Sequence, residues 1–504
     1  MKRVWWVFAA AVALYLPTVR YSYVQDDMLI IRNNAATHGV GAALRALDEP
    51  YWPPPSRGGM YRPLTTLSFG VDWSISGARP GWFHFMNALW HGLACALVVL
   101  VLARWLPESA AFVAGLIFAV HPVHVEGVAN LVSRGELFAA VGMLGAVLAA
   151  RQHRWALAVA CAAAAMLSKE HAVITGVVIL LDDWLQSPGA RRYPTGFYVA
   201  IAGLTISFLG AWLVVGVSGD VAPPFFGATV GQRLAIGLPA VWRAATLLVW
   251  PADLVADYHP EVIPVRSGLS LPAVAGAFVV VAVPYLAWWA RRRAPALAFA
   301  AAVAALAYLP TSNLLFASGV VLAERSLYLP VLLSATAAGY GFMWLERHWE
   351  ARRAGLVVGL VVLVLAGRSY LRLPVWRDNK TFLLTLLAQH PESYRAHRWA
   401  AHVLAEVGDT AGALREFTRA DSIFPRDPSV QGAHALVLLE SGDTTGVAAL
   451  AERARRVMPR QLLAVRAQFL IDLARGDRAR ARALADSALV WFPWEREWYR
   501  HYLQ

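Results

Sequence analysis

Charge is scarce in this 504-residue sequence: only 15% of its residues are Asp, Glu, Lys or Arg, while 58% are hydrophobic and the mean hydropathy is +0.48. Soluble domains average about 25% charged residues, so a fold bathed in water along its whole length is excluded. Cysteine is nearly absent. Cys95 and Cys161 cannot supply a disulfide framework, and both fall in apolar runs, where they read as isolated buried thiols. Lysine is the third shortage, with Lys2, Lys169 and Lys380 the only three among 45 basic residues. The arginine preference is compositional, and it makes a lysine inside an apolar region conspicuous. The net charge is +12 and the pI about 9.9, yet no basic patch exists. The basic residues punctuate the apolar runs, as a positive-inside bias does, which argues against a nucleic-acid partner.

What is abundant is apolar stretches. Crossing ~30 Å of hydrocarbon takes roughly 20 residues. Candidates lie near 4–18, 84–103, 109–127, 136–150, 155–168, 171–186, 196–216, 268–290, 295–311, 324–343 and 354–370. Residues 233–250 are apolar too, but no basic cluster flanks them between Gly219-Asp220 and Asp253 to Asp257, so they are expected as an interfacial or re-entrant helix. The start, Met1, Lys2 and Arg3 followed by an apolar run to Leu16, resembles a signal peptide. No small-x-small cleavage site follows it, so an uncleaved first span is expected. With eleven spans, six basic sets share one face: Lys2/Arg3, Arg104, Arg151/Arg154, Arg191/Arg192, Arg291 to Arg293 and Arg352/Arg353. That face is cytoplasmic. Loop 19–83 and everything after residue 370 then lie outside.

The C-terminal part repeats. Gly408-Asp409, Gly442-Asp443 and Gly476-Asp477 recur every 34 residues; so do Ala420, Ala454 and Ala488, and Pro425, Pro459 and Pro493. A 34-residue period with a turn glycine, a small packing residue and a helix-ending proline is the tetratricopeptide (TPR) signature. Stacked TPR pairs offer a concave surface for peptides or proteins. Residues 394–504 carry 16 Arg against 13 Asp or Glu, so no strong charge preference for a partner shows.

Chemistry-bearing residues gather at the outer ends of the spans. Asp26 and Asp27 follow the first span; adjacent carboxylates raise each other's pKa, which suits one of them to proton abstraction, and the bland alternative is a pair of solvated loop acids. His84, Asn87 and His91 share a helix face at i, i+3, i+7 and serve either function or helix-helix hydrogen bonding. His121, Pro122, His124 and Glu126 interrupt another apolar run; Pro122 stops the helix, and Glu126, Asn130 and Arg134 are expected on one face of the helix that restarts. Two histidines and a glutamate are metal-ligand types, but their spacing matches no helical His-x-x-x-His site, so metal dependence stays open. Ser168, Lys169, Glu170 and His171 join two spans on the outer side, where a lysine is disfavoured. Glu324, Arg325 and Tyr328 form a similar cluster. Lys169 and Arg325 suit a phosphate; the alternative is that each only neutralises the glutamate beside it.

In this order the motifs resemble the transmembrane-and-TPR (TMTC) family of protein O-mannosyltransferases, within the GT-C superfamily of polyprenyl-phosphate-dependent glycosyltransferases. The matching stretches are Tyr23 to Asp27 through Asn33 and Asn34, Tyr61 to Leu64, His84/Asn87/His91, His121/Pro122/His124/Glu126, Arg134/Glu136/Leu137, Ser168 to Glu170, and Ala323 to Arg325 with Leu327 to Pro330. The resemblance covers nearly the whole chain. The array departs from the family in holding about three repeats, which bears on the acceptor more than on the chemistry.

The resemblance implies an all-α fold: a polytopic GT-C-type domain over 1–372, a linker helix over 373–393 and a TPR solenoid over 394–504. It implies transfer of mannose or a similar hexose from a polyprenyl-phosphate donor to a hydroxyl of an exported protein. A phosphate leaving group needs little acid catalysis, so one carboxylate base suffices, with Asp27 the preferred base and Asp26 its partner. Lys169 and Arg325, with Arg62, would hold the phosphate. His84, Asn87, His91, His121, His124, Glu126, Arg134, Glu170, Glu324 and Tyr328 would support them, and in-line displacement would invert the anomeric centre. Compact size and arginine bias point to a bacterial inner membrane, with the array outside. The competing readings are a membrane-anchored TPR scaffold, which needs one span rather than eleven, a transferase acting on a non-protein acceptor, and a transporter. Inverted repeats with paired broken helices, the mark of many transporters, do not occur.

Overall fold

The computed structural model describes residues 2–53, 60–186, 192–216, 221–258, 262–263, 270–442 and 446–503, and among these all regular structure is helical. Arg191, Gly219, Asp220 and Asp443 lie outside the described residues. The helices are α1 (Lys2–Tyr15), α2 (Val40–Arg45), α3 (Pro63–Ser76), α4 (Pro80–Leu102), α5 (Glu108–Val120), α6 (His124–Ala129), α7 (Arg134–Arg151), α8 (Trp155–Met166), α9 (Thr175–Trp184), α10 (Thr195–Gly216), α11 (Val230–Val249), α12 (Leu271–Ala290), α13 (Pro295–Tyr308), α14 (Val331–His348) and α15 (Ala351–Arg372). Proline starts α3, α4, α12 and α13, where its missing N–H is not needed. A helix stands in each of the eleven apolar stretches. Among the described residues five segments, Pro80–Leu102, Leu131–Arg151, Thr195–Val215, Leu271–Ala290 and Ala351–Trp376, are long and apolar enough to cross a membrane by length and composition, and Glu108–Val120, Trp155–Met166 and Pro295–Thr311 are shorter apolar helices. The chain is an integral membrane protein.

One core joins α1, α4, α5 and α7 to α8, α11, α13 and α14. Close approach between helices rests on small residues. A Cβ on Gly142 of α7 would sit 2.7 Å from the Cys161 carbonyl oxygen of α8, and one on Gly276 of α12 would collide with the Leu238 carbonyl of α11. Residues 233–250, expected to be interfacial or re-entrant, lie in α11. It is a continuous 20-residue helix opened by a Thr229–Gln232 capping box and packed along α12.

One expectation fails. Glu126, Asn130 and Arg134 do not share a helix face. Asn130 is extended (φ −81°, ψ 113°), a short 3-10 turn covers Leu131–Ser133, and α7 starts afresh at Arg134. The break lets Asp27 take the Val132 N–H, and it sends the side chains of Glu126 and Arg134 to different partners.

Beyond α15 come α16 (Asn379–Gln389), α17 (Tyr394–Glu406), α18 (Thr410–Ile423), α19 (Pro428–Glu440), α20 (Val447–Val457), α21 (Leu462–Ala474), α22 (Arg478–Trp491) and α23 (Arg496–Leu503). The six from α17 to α22 are three antiparallel pairs, and each pair turns at a glycine with φ near +80°: Gly408, Gly442 and Gly476. Ala420, Ala454 and Ala488 are fully buried where neighbouring helices meet. Trp376, Phe382, Leu386 and Ala396 belong to the membrane-domain core, so α16 and the start of α17 are rooted in it.

Candidate active site

One end of the helical bundle carries the polar motifs. After α1 the chain makes a 3-10 turn over Leu16–Arg20, runs extended, and then bends at Gln25, whose φ is +53°. This bend separates the two acids. Asp27 is fully buried; one carboxylate oxygen accepts the Val24 N–H (3.0 Å) and the other the Val132 N–H (2.9 Å). It pins the loop after α1 to the turn before α7. Burial pushes its pKa up from 3.8 to about 7, against the pull of those N–H groups. Asp26 is only half-buried, and among the described residues no hydrogen bond fixes its carboxylate. Burial raises its pKa, while Arg325 and Arg395 pull it down.

Arg325 acts on this acid, and Arg325, Lys169 and Arg62 are each anchored by a carboxylate from another part of the chain. Arg62 forks onto Glu170, with Nε at 3.0 and 3.1 Å and Nη2 at 2.9 Å, and lies over the Tyr51 ring at 4.9 Å. Lys169 Nζ is 2.9 Å from Glu136 Oε1, and His171 Nδ1 is 3.6 Å from the other oxygen. Burial, then Arg62, hold the Lys169 ammonium below its usual range. The Arg325 N–H donates to Glu126 Oε2 at 3.0 Å, and its guanidinium meets Glu126 Oε1. The alternative reading, in which Lys169 neutralises Glu170 and Arg325 neutralises Glu324, is therefore overturned. Glu324 Oε1 instead accepts from the Val255 N–H (2.7 Å) and the Tyr258 hydroxyl (3.1 Å), with Arg372 at 3.7 Å. Side-chain exposure of 27% for Arg325, 12% for Lys169 and 9% for Arg62 leaves all three within reach of a ligand at the mouth.

The remaining polar residues lie beneath and are buried. His84 Nε2–H donates to the Ser22 carbonyl (3.2 Å), His121 Nε2–H to Leu248 (3.3 Å) and His124 Nε2–H to Tyr328 (3.0 Å). His91 donates from Nε2 to the Ala119 carbonyl (3.0 Å), so its Nδ1 accepts from the Tyr328 hydroxyl (2.7 Å). Asn87 donates to the Val128 carbonyl and accepts from Arg134 Nε at 2.7 Å; Arg134 also pairs with Asp72 at 2.5 Å and donates to the Phe83 carbonyl. These groups bind helix to helix and do not line the mouth. His121, His124 and Glu126 address separate partners, and among the described residues no three His, Cys, Asp or Glu side chains form a metal-ligand group.

Sequence reasoning did not single out Tyr51, Asp72, Asp257 and Arg395, and it met Glu136 only as part of a motif. The available signal was a charged residue next to an apolar run: Glu136 and Asp72 both stand there. Beside the charged mouth, an apolar cavity of about 850 Å³ lies among α11 to α14. Val241, Leu248, Val283 and Leu306 line it, together with Leu327 and Pro330 from the segment that carries Arg325.

No family model matches the chain. Curated relatives do. The chain is 24% identical to protein O-mannosyl-transferase TMTC3 of Mus musculus over 86% of its own length and 52% of the relative's. It is 28% identical to Tmtc1 of Drosophila melanogaster (76% and 57%) and 26% identical to a Caenorhabditis elegans protein O-mannosyl-transferase (82% and 61%). The resemblance to TMTC protein O-mannosyltransferases thus runs over most of this chain, which spans about half the length of the curated relatives it matches. Among solved structures, ArnT from Cupriavidus metallidurans, crystallised with undecaprenyl phosphate, aligns over 94% of this chain and 80% of its own at 14% identity, with a TM-score of 0.40.

Proposed function

We propose that this chain is a membrane glycosyltransferase that moves mannose or a similar hexose from a polyprenyl-phosphate donor to a hydroxyl of an exported protein. One observation carries the reading. A half-exposed carboxylate with no hydrogen-bond partner among the described residues, Asp26, lies under the charge of Arg325, which Glu126 pre-positions, at the end of an apolar helical bundle that also carries the anchored cations Lys169 and Arg62. The similarity to named O-mannosyltransferases supports it, as does the apolar cavity beside Arg325, which suits a lipid chain.

In this reading Asp26, rather than Asp27, is the base, because both Asp27 oxygens are occupied by backbone N–H groups. Asp26 takes the proton of the acceptor hydroxyl. The hydroxyl oxygen attacks the anomeric carbon opposite the phosphate, the bond from that carbon to the phosphate oxygen breaks, and the lipid phosphate leaves with the electron pair. Arg325, Lys169 and Arg62 stabilise its charge. Anchoring by Glu126, Glu136 and Glu170 orients them beforehand, so little reorganisation accompanies reaction. Backside attack inverts the configuration. On this reading the chain crosses a bacterial inner membrane eleven times, with loop 19–83 and the C-terminal helix pairs on the extracytoplasmic side. There the pairs act as TPR repeats that present the acceptor.

Mass spectrometry of exported proteins and surface glycans from cells with and without the gene tests this. Loss of hexose from serine and threonine residues is the expected result. Unchanged protein and glycan profiles, together with no release of lipid phosphate by the purified protein from polyprenyl-phosphomannose, would overturn it.

A further inference from the structure

The root of the C-terminal helices touches the loop that carries Asp26. The Ser22 N–H donates to the Arg377 carbonyl at 2.8 Å, and the Gln25 N–H donates to Asn379 Oδ1 at 2.7 Å. Gln25 is one of only three non-glycine residues with positive φ among the described residues. A side chain with a Cβ resists that conformation, so the hydrogen bond from Gln25 holds the bend that turns Asp26 and Asp27 to opposite uses. One helix further on, Arg395 of α17 pairs with Asp257 at 2.8 Å, lies 5.4 Å from the Trp399 ring centre, and is among the charges that act on Asp26. Asp257 is itself in the strap that reaches Glu324 through Val255 and Tyr258. The root does not float: Trp376, Phe382, Leu386 and Ala396 sit in the membrane-domain core.

We propose that the segment Arg377–Arg395 is a working part of the carboxylate site, with Asn379 and Arg395 as positioning residues: Asn379 holds the Gln25 bend, and Arg395, fixed by Asp257, keeps a positive charge on the Asp26 side of the site. The inference rests on Asp26 being the base. It gives the C-terminal array a direct line to the chemistry, because whatever moves α17 moves Arg395. The other groups facing Asp26 are Arg325 from the turn before α14, the Tyr51 hydroxyl from the first outer loop, and Asp27 beside it.

The test uses full-length protein in lipid nanodiscs, radiolabelled polyprenyl-phosphomannose and a synthetic serine/threonine peptide, with release of free lipid phosphate followed against pH. Asn379→Ala is expected to lower kcat about two- to tenfold, the worth of one hydrogen bond, with the donor KM unchanged. Adding Gln25→Gly should restore much of it, since glycine adopts positive φ without strain. Arg395→Met should move the acid limb of the pH profile up by roughly one unit, because a base that has lost its neighbouring cation ionises later; Arg395→Lys should leave the limb in place. If Asn379→Ala and Arg395→Met change only the melting temperature, or if Gln25→Gly gives no rescue, the positioning role is wrong. Asp26→Asn run alongside separates the two layers. Full turnover in that variant defeats the base assignment and this inference with it, whereas an inactive Asp26→Asn beside unmoved Asn379 and Arg395 variants defeats this inference alone.

Discussion

Removing the Lys169 ammonium separates two effects that a single activity assay would merge. Lys169 is 12% exposed and sits 2.9 Å from Glu136, which is 6% exposed and otherwise has His171 at 3.6 Å and the more distant charge of Arg62. Lys169→Met therefore strands a buried carboxylate, and breaking such a pair costs about 3–5 kcal/mol, less whatever proton uptake by His171 recovers. If Lys169 also holds the donor phosphate, a lost charge-assisted contact removes a further ~1.5–3 kcal/mol of donor binding, about ten- to a hundredfold in affinity. Lys169→Glu should be worse on both counts. The double variant Lys169→Met/Glu136→Gln removes the stranded charge. Its melting temperature should return toward that of the parent while its donor affinity stays low. The assay is titration of the full-length protein in nanodiscs with labelled polyprenyl-phosphomannose, beside a thermal melt of the same sample. Parental donor affinity in the double variant would show that Lys169 serves Glu136 alone and would refute the phosphate role. Glu170→Ala in place of Glu136→Gln should rescue nothing, because Glu170 belongs to Arg62.

Asp26→Asn should abolish lipid-phosphate release with little loss of stability. Asp27→Asn should instead cost about 1–3 kcal/mol of stability, since the amide turns a donor onto one of two buried N–H groups. Burial raises the folded pKa of Asp27 from 3.8 to about 7, so this group's contribution to stability is full below pH 3.8, falls as pH rises toward about 7, and is flat above it; thermal melts of Asp27→Asn across that window should lose this slope, and an unchanged slope would disprove the assignment. Arg134→Met should destabilise the fold by about 3–5 kcal/mol by stranding Asp72, and Arg134→Met/Asp72→Leu should recover part of it in the same melts. Topology reporters placed after Gln504 and within residues 51–60 should read the same extracytoplasmic face; opposite readings would mean an odd error in the span count and would part the array from Asp26.

Much of the architecture was legible because it is local. Apolar runs of span length became helices, and Pro122 ended α5 as its geometry requires. The 34-residue period marked the helix pairs, since a glycine is needed wherever a turn demands positive φ. The Glu126–Asn130–Arg134 face was misread for the same reason that the rest was right. Helical spacing was extended across a stretch where Asn130 leaves the helix, and nothing in residues 126–134 announces a break whose use is to present the Val132 N–H to a carboxylate 105 positions away.

The sequence by itself determined that polar residues gather at one end of an apolar bundle, because a charge inside hydrocarbon is costly and each motif falls at the end of a run. It also determined which residue types are present: acids free to act as bases, and cations suited to a phosphate. Only the tertiary structure decided who pairs with whom. Lys169 is extended, at φ −156° and ψ 134°, so it and Glu170 project to opposite sides and find Glu136 on α7 and Arg62 ahead of α3. Glu324 and Arg325 are consecutive in a 3-10 turn, about 120° apart around its axis, and they diverge to Arg372 and Glu126. Neighbours in the chain cannot neutralise each other when the backbone aims them apart, and the direction of that aim is set by packing between helices distant in sequence.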